Sequence, residues 1–529
     1  MWKKGWREEA WSALDQKWDI VVVGGGITGA GVFQAAASAG LKTLLVDAHD
    51  FSFGTSSRSS KLVHGGFRYL YNRQYQVTYE SVRQREKLLQ QAPHLVTPLA
   101  FTLPNYVNYH FPSWMLRCGL ALYDLMAGKW DHQLVAAQEV NRQFPVLKKN
   151  GLIRGFRYKD AELDDSRLVL RVLQEGAADG GLALNYARAE LLLRNSRSQV
   201  CGVALRDTSG VSDRTCEIQA RVVVNATGPW ADGLRSHLGA PPRLRQLRGS
   251  HLVFSREQLP LPEALTLFHP RDRRAMFALP WEGVSLVGTT DIYHSPDLET
   301  SYREPFSSRE ETDYILEALV FLFPELRFSR QDILSSFSGL RPIINAGADN
   351  PSKASRAHQV WIEDGLVTIT GGKLTTFRLM ARQTLQACLG VMGAGPQRKV
   401  DTRLKVLPLT ASVSGIQRYT LDYLAGRYGV YTDRLLSAAD YRDHQHIENL
   451  SNIWAEIRWA ARSEAVMHLD DLLLRRVRLG LLLPGGGRAV MPRVRAAAQA
   501  ELGWDDQRWQ AEEEAYWRIW KTYYSPAPG

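Results

Sequence analysis

The sequence is poor in cysteine. Its four cysteines, Cys118, Cys201, Cys216 and Cys388, lie far apart with no Cys-x-x-Cys or other ligand spacing. That argues against a disulfide framework and against a zinc site, so no metal is expected, and a reducing, cytosol-facing location fits. Long apolar runs are missing as well: nothing reaches the roughly 18 to 20 uninterrupted apolar residues of a spanning helix, and Glu8 and Glu9 stand where a signal peptide would need its apolar region. The chain is expected neither to span a membrane nor to be secreted. Internal repeats and low-complexity tracts are absent, which removes solenoids and linker-joined arrays. Acid is in deficit too, with a formal charge of +10. A positive chain suits nucleic acid, acidic lipid or phosphorylated metabolites alike. Because the charge is scattered rather than gathered on an aromatic-studded basic face, no nucleic-acid partner is expected.

With 529 residues, of which 45% are hydrophobic and 23% charged, the chain has the composition of a globular protein of two or three domains. The informative punctuation is glycine. A strand-like run over residues 20–23 leads into Gly24-Gly25-Gly26-Ile27-Thr28-Gly29, then an Ala-rich segment, then a second strand-like run over residues 43–46 ending in Asp47. That is a βαβ unit. In Gly24-x-Gly26-x-x-Gly29 the glycines serve a tight turn, close backbone approach to a pyrophosphate, and close packing of helix on strand. Asp47 is placed to accept hydrogen bonds from ribose hydroxyls. At this point FAD and NAD both remain open, because they share the fingerprint. Later strand-like runs at residues 221–224 and 366–370, closed by Asn225-Ala226-Thr227-Gly228 and Gly371-Gly372, point to a discontinuous nucleotide domain with another domain inserted. From about residue 400 the pattern turns helical, with a break at Pro484-Gly485-Gly486-Gly487.

Beyond Asp47, the stretch Thr55-Ser56-Ser57-Arg58-Ser59-Ser60-Lys61-Leu62-Val63-His64-Gly65-Gly66-Phe67-Arg68-Tyr69-Leu70 resembles the signature of FAD-dependent, quinone-linked glycerol-3-phosphate dehydrogenases. The resemblance recurs in order at Asp164-Asp165-Ser166-Arg167-Leu168, Asn225-Ala226-Thr227-Gly228-Pro229-Trp230, Gly249-Ser250-His251, Gly288-Thr289-Thr290-Asp291, Ser338-Gly339-Leu340-Arg341-Pro342 and Gly371-Gly372-Lys373-Leu374-Thr375-Thr376. It implies an α/β fold with a discontinuous, glutathione-reductase-like FAD-binding Rossmann domain, an antiparallel-sheet substrate domain and a helical C-terminal domain. The expected partition is an extension over residues 1–18, the FAD domain over 19–95, 160–248 and 346–395, the substrate domain over 96–159 and 249–345, and the helical domain over 396–529.

The same resemblance implies site residues. Gly24, Gly26, Gly29 and Asp47 would hold the ADP half of FAD; Thr55, Ser56, Ser59, Lys61 and His64 would lie along the flavin; Gly228, Gly372, Leu374 and Thr375 would close the pocket. A phosphorylated substrate, sn-glycerol 3-phosphate, needs fixed positive charge, preferably arginine for its bidentate fork; Arg341 and Arg356 are assigned, with Arg68 and Tyr69 bordering the substrate. Oxidation removes a hydride from C2 and a proton from its hydroxyl, so a base or oxyanion stabiliser is required. Lys373 and His251 are the candidates, and the sequence does not choose between them; Arg341 completes the catalytic set.

Ten of the fifteen tryptophans fall near the two ends: Trp2, Trp6, Trp11 and Trp18, then Trp454, Trp459, Trp504, Trp509, Trp517 and Trp520. With Lys3, Lys4 and Arg7, or Arg475, Arg476 and Arg478 nearby, they have the composition of an interfacial contact with anionic lipid, core packing being the competing reading. Together with the membrane quinone that the resemblance implies, this predicts peripheral attachment to the cytoplasmic face of a cell membrane. A homodimer is entertained. The rival readings are an oxidase returning electrons to oxygen, an FAD-dependent amine or hydroxy-acid oxidoreductase, and a non-catalytic scaffold.

Overall fold

The computed structural model describes residues 2–66, 74–107, 112–294, 304–344, 357–395, 398–405 and 416–526. Its first layer is a mainly parallel sheet. Trp18–Val23 lies between Thr43–Val46 and Thr215–Asn225, pairing in parallel with both; Leu366–Gly371 adds beyond Thr215–Asn225 and Leu182–Leu184 beyond Thr43–Val46. Ile20, Val21, Val22, Leu44, Leu45, Val223 and Val224 are fully buried. Both faces of the sheet are covered, which is why these strands read as continuous apolar runs rather than alternating ones. The helices Ile27–Ser38, Asp165–Ala178 and Phe377–Met392 cover one face. The helix Trp6–Ser12 covers part of the other, with Ala10, Trp11, Leu14 and Trp18 packed on Val21, Val23 and Leu184.

The second layer is a mostly antiparallel sheet in the order Ile292–His294, Leu244–Ser255, Val284–Gly288, Ala275–Trp281, Ala264–Phe268, Val96–Tyr106, Leu152–Leu163, Leu62–Val63, with Ile333–Ile344 on Leu244–Ser255 and Gln133–Ala136 on Leu152–Leu163. The helix Arg309–Leu322 backs it. Ser308 and Glu311 form a capping box at its start. Glu311 also accepts from the hydroxyls of Ser250 (2.8 Å) and Thr290 (2.6 Å), so the helix start and two sheet segments are fixed through one carboxylate. The glutathione-reductase-like α/β fold with its antiparallel substrate sheet is thus present as expected from the sequence.

The helices Arg418–Tyr428, Thr432–Ser437, Trp454–Ser463, Met491–Leu502 and Asp506–Tyr523 form the helical C-terminal domain. The break expected at Pro484 is there: Gly485, Gly486 and Gly487 hold φ of 57°, 70° and 83° in succession, left-handed values that glycine adopts without strain. A Cβ on Gly486 would meet the ring of Trp520 at 2.8 Å.

The interfacial reading of the terminal tryptophans is corrected by their burial. Trp2, Trp11, Trp18, Trp454, Trp459 and Trp509 are buried, and Trp504, Trp517 and Trp520 pack against the core from its edge. The Trp2 indole donates to the Ala183 carbonyl (3.0 Å), and Arg7 reaches the carbonyls of Asn185 and Tyr186 and the Asp207 carboxylate. The N-terminal extension is therefore a strap on the edge of the parallel sheet. Arg475, Arg476 and Arg478 are likewise buried, paired with Asp50, Asp164, Asp165, Asp470 and Asp471. Aromatic bulk beside cations served core packing and ion pairing across domains. Among the described residues no helix is long and apolar enough to cross a membrane.

Candidate active site

One cavity of about 580 Å³ lies between the two sheets. At one end is the turn that follows Trp18–Val23. Gly24 has φ 114°, and a Cβ there would meet the Ala226 carbonyl oxygen at 2.5 Å; a Cβ on Gly29 would meet the Gly24 oxygen at 1.8 Å. Only glycine allows the strand, the turn and the helix to close on one another in this way. The helix Ile27–Ser38 starts at Gly26 with no side-chain cap and no acid in its first turn. Its amides and the positive end of its dipole are therefore presented at the cavity. Ser56 accepts from the Ile27 amide (2.9 Å). Asp47 accepts from the amides of Gly25 (2.6 Å) and His49 (2.8 Å), and burial pushes its carboxyl up to about 7.

The cavity floor comes from two antiparallel strands, Leu244–Ser255 and Ile333–Ile344, in the register Leu247 to Arg341, Gly249 to Gly339 and His251 to Phe337. Opposed residues share a face, and alternate residues along a strand return to it. His251 and Arg341 consequently rise from the same side of the sheet, with a bare glycine pair between them. A Cβ on Gly249 would meet Arg341 Nη2 at 2.8 Å, one on Gly339 the Arg58 carbonyl oxygen at 2.5 Å, and one on Gly288 the His251 ring at 2.3 Å. These glycines make room for the functional side chains.

Arg341 donates to Asp291 Oδ1 (3.0 Å) and to the Thr289 hydroxyl (3.2 Å). His251 is buried, stacks on Phe337 at 4.9 Å between ring centres, and shares a hydrogen bond of 2.9 Å with the Ser60 hydroxyl through Nε2. Burial, then the positive charges of Arg341 and Lys61, hold its pKa well below the usual imidazole range; at neutral pH it is an uncharged ring. Its Nδ1 has no hydrogen-bond partner among the described residues. Lys373 follows the left-handed pair Gly371 and Gly372, reaches the cavity wall, and donates to the Ser81 hydroxyl (2.9 Å). The Thr370 hydroxyl donates to the Gly228 carbonyl (3.1 Å), tying that turn to the turn at Gly228.

Of the residues expected from the sequence, Gly24, Gly26, Asp47, Thr55, Ser56, Ser59, His64, Gly228, His251, Arg341, Gly372, Lys373, Leu374 and Thr375 line this cavity. Gly29 lies just behind it, in the helix–strand contact. Arg68, Tyr69 and Arg356 lie outside the described residues. The side chain of Lys61 is turned away from the cavity: its ammonium is buried, donating to the Ser57 carbonyl (2.6 Å) and to both oxygens of Asp165 (3.0 and 2.9 Å). A buried lysine needs a counter-ion, and Asp165 supplies it from the opposite direction.

Residues not singled out in the sequence also contribute. Arg58 lines the cavity and is buried, held by Glu304 (2.6 Å) and the Tyr524 hydroxyl (2.8 Å). Ser60 orients His251. Trp230 stands against Gly54, where a Cβ would meet the indole at 2.8 Å. Arg58 and Ser60 lay inside a recognisable motif, but their partners lie far along the chain, at residues 524 and 251.

A glycine-rich turn opening a helix at one end of the cavity, and a sheet carrying cations and a neutral imidazole at the other, define a dinucleotide-dependent oxidoreductase. Residues 19–386 match the FAD dependent oxidoreductase family, and residues 368–509 match the C-terminal domain of alpha-glycerophosphate oxidase. The aerobic glycerol-3-phosphate dehydrogenase of Staphylococcus epidermidis is 33% identical over 489 residues, 87% of each chain, and that of Staphylococcus aureus is equally similar. The crystal structure of the glycerol-3-phosphate dehydrogenase from Bacillus halodurans complexed with FAD has a TM-score of 0.77 at 27% identity, covering 98% of both chains. The L-alpha-glycerophosphate oxidase of Mycoplasma pneumoniae shares the fold, with a TM-score of 0.56 at 17% identity over 74% of this chain and 99% of its own. The chain belongs to the family of FAD-dependent glycerol-3-phosphate dehydrogenases and oxidases, and its cofactor is FAD. The residues present fit that cofactor: the uncapped helix start suits a pyrophosphate and Asp47 a ribose, and the glycines at 24 and 26 leave the backbone open to close approach.

Proposed function

We propose that the protein oxidises sn-glycerol 3-phosphate to dihydroxyacetone phosphate, with a membrane quinone as the final electron acceptor. The observation that carries this reading is the convergence of Arg341, His251 and Lys373 on the cavity that also holds the dinucleotide turn. FAD, when bound, supplies the hydride acceptor. The chain's own residues supply position and proton handling. Arg341, its fork oriented by Asp291 and Thr289, would hold the phosphate. Lys373 would stabilise the substrate oxygen as charge develops on it. His251 would take the hydroxyl proton. Its pKa is depressed in part by Arg341, and a phosphate dianion docked on that arginine would offset the positive field and raise the imidazole's affinity for a proton. The substrate would in this way help to prepare its own base. Arg68, Tyr69 and Arg356 remain in this assignment as substrate-side residues, and the domain partition given above is retained.

Peripheral attachment to a membrane and a homodimeric state complete the reading; the buried terminal tryptophans do not support the former, which rests on the quinone. Anaerobic titration of the purified flavoprotein tests the chemistry. Bleaching of the flavin band by sn-glycerol 3-phosphate but not by glycerol, then recovery on adding a short-chain quinone, is expected. A flavin that the phosphate ester leaves oxidised would remove the substrate assignment. Recovery with oxygen alone at the quinone rate would favour the oxidase reading.

A further inference from the structure

His251 stands in a row of three residues drawn from neighbouring strands. On one side of the strand Leu244–Ser255 it is opposed by Phe337, on the other by Gly288. Opposed residues share a face of the sheet. The Phe337 ring accordingly stacks on the imidazole, 4.9 Å between ring centres and 13° between planes. From the other side the Gly288 backbone closes in, where a Cβ would meet His251 Cδ2 at 2.3 Å and Nε2 at 3.0 Å. The imidazole is 2% exposed. Flanked in this way the ring keeps one orientation, and in it Nε2 meets the hydroxyl of Ser60 (2.9 Å).

Ser60 is fixed by its neighbours in the chain. The amide and hydroxyl of Ser59 both donate to Asp165 Oδ2 (3.0 and 2.7 Å), and the Lys61 ammonium donates to both oxygens of the same carboxylate (3.0 and 2.9 Å). The residues before and after Ser60 are thus anchored on Asp165, with Lys61 in the left-handed region at φ 58°. Ser60 itself is left to join the cavity wall, where it is half-buried and more accessible than the imidazole. A serine hydroxyl has one proton to give and two lone pairs with which to accept. While donating to Nε2, Ser60 keeps acceptor capacity for a hydroxyl that enters the cavity. For the imidazole to reach such a hydroxyl directly, Ser60 or the ring would have to leave a position that several contacts hold.

We propose that Ser60 is a catalytic residue, the relay through which the C2 hydroxyl of the substrate delivers its proton to His251. This rests on the reaction proposed above and gives its base a route. The substrate O–H bond breaks as its proton bonds to Ser60 Oγ; the Ser60 O–H bond breaks in the same movement and that proton bonds to Nε2. The C2–H electron pair leaves with its hydrogen as the hydride that FAD accepts. What remains is the C2 carbonyl, an intact serine and an imidazolium. The charged groups that face this ring are Arg341, on Ile333–Ile344, and Lys61, beside Ser60. Both are cations, so once the phosphate ester has left, the imidazolium gives its proton back to solvent readily.

The test is anaerobic stopped-flow reduction of the flavin-loaded protein by sn-glycerol 3-phosphate in mixtures of ordinary and heavy water. It compares the wild type with Ser60→Ala, Ser60→Thr, His251→Gln and the double variant Ser60→Ala, His251→Gln. Flavin content and urea unfolding certify that each variant is folded. Ser60→Ala is expected to slow the reduction step by about a hundredfold. The half-saturating concentration of the phosphate ester should move by less than about threefold, because Arg341 is untouched. Ser60→Thr, which keeps a hydroxyl, should recover most of the lost rate. Adding His251→Gln to Ser60→Ala should cost little more, since residues on one route are not additive. The wild-type rate should fall along a curve as the deuterium fraction rises, the sign of more than one proton in flight, and Ser60→Ala should straighten it. Ser60→Ala reduced at the wild-type rate would overturn the relay. So would a straight wild-type line, which needs no variant, or a Ser60→Thr as slow as Ser60→Ala with multiplying losses in the double variant. A wild-type flavin left oxidised by the phosphate ester would remove the reaction itself and the relay with it, so the two failures are told apart by the wild type.

Discussion

At the junction with the helical domain, Asp50 accepts from Arg475 Nε (2.6 Å), from Arg476 Nη1 and Nη2 (2.7 and 2.8 Å) and from Asn185 (3.0 Å). On the cavity wall, Arg341 is held by Asp291 and Thr289 and Lys373 by Ser81. Both regions are buried and polar. In the first, each charge meets an opposite charge from the chain, and the ion pairs join two domains. In the second, Arg341 and Lys373, each held by protein partners, reach the wall of a cavity of about 580 Å³. Lys61 and Arg341 make the contrast sharper. The former, inside the densest motif, belongs to the cemented region, and the latter belongs to the receptive one.

Substitutions should separate the two regions by what they cost. The largest expected effect is on folding: Asp50→Asn leaves Arg475 and Arg476 short of a counter-charge, and breaking a buried pair costs about 3–5 kcal/mol. Urea unfolding of the flavin-loaded protein measures it. Arg341→Lys keeps a cation beside Asp291 but loses the planar fork. A charged hydrogen bond is worth about 1.5–3 kcal/mol, so kcat/KM for the phosphate ester should fall roughly tenfold to a hundredfold, while the unfolding midpoint moves much less than in Asp50→Asn. Steady-state kinetics beside the same urea curves decides whether stability and function divide as described.

Smaller effects follow from pH and from the cavity's supports. At His468 burial opposes protonation, but the hydrogen bond from its ring to Glu512 and the charges of Asp471 and Asp470 prevail and raise its pKa to about 9. Its contribution to stability is fully present below the ordinary value of 6.5 and is lost as pH rises through about 9. Thermal melts across that window should show a decline that His468→Gln flattens. The smallest effect is expected from Tyr524→Phe, which removes one hydrogen bond to Arg58. At about 1 kcal/mol it should lower stability slightly in urea unfolding, and, with Arg58 on the cavity wall, weaken FAD binding by no more than about fivefold, read by flavin fluorescence on reconstituting the apoprotein.

The parallel sheet was legible because its signals are local. The run over residues 43–46 is the observed strand Thr43–Val46, and the glycines at 24, 26 and 29 carry their geometric reason with them. His251 and Arg341 were legible as residues but not as neighbours: that they share a face depends on the register of Leu244–Ser255 with Ile333–Ile344, set by pairings across the sheet. Lys61 was misplaced because its direction is decided by Asp165, 104 positions away. The terminal tryptophans were ambiguous because composition does not say which side of a helix faces protein. Conversely, Trp114 and Trp130, spaced without any clustering, turned out to be the exposed ones.

The Arg58–Tyr524 hydrogen bond spans 466 positions, and this sets an order on biosynthesis. When the glycine-rich turn and the Thr55 motif leave the ribosome, nearly the whole chain is still to be made. Until the helix Asp506–Tyr523 has emerged and docked, Arg58 has Glu304 but not Tyr524 to hold it; the Tyr524 carbonyl accepts from the Ser336 amide (2.7 Å). The nucleotide end of the cavity can form early in translation, whereas the wall around Arg58 is finished only once Tyr524 has emerged. Tight flavin loading should therefore come late, and ribosome-bound chains stalled before residue 524 should hold FAD more loosely than the full-length protein.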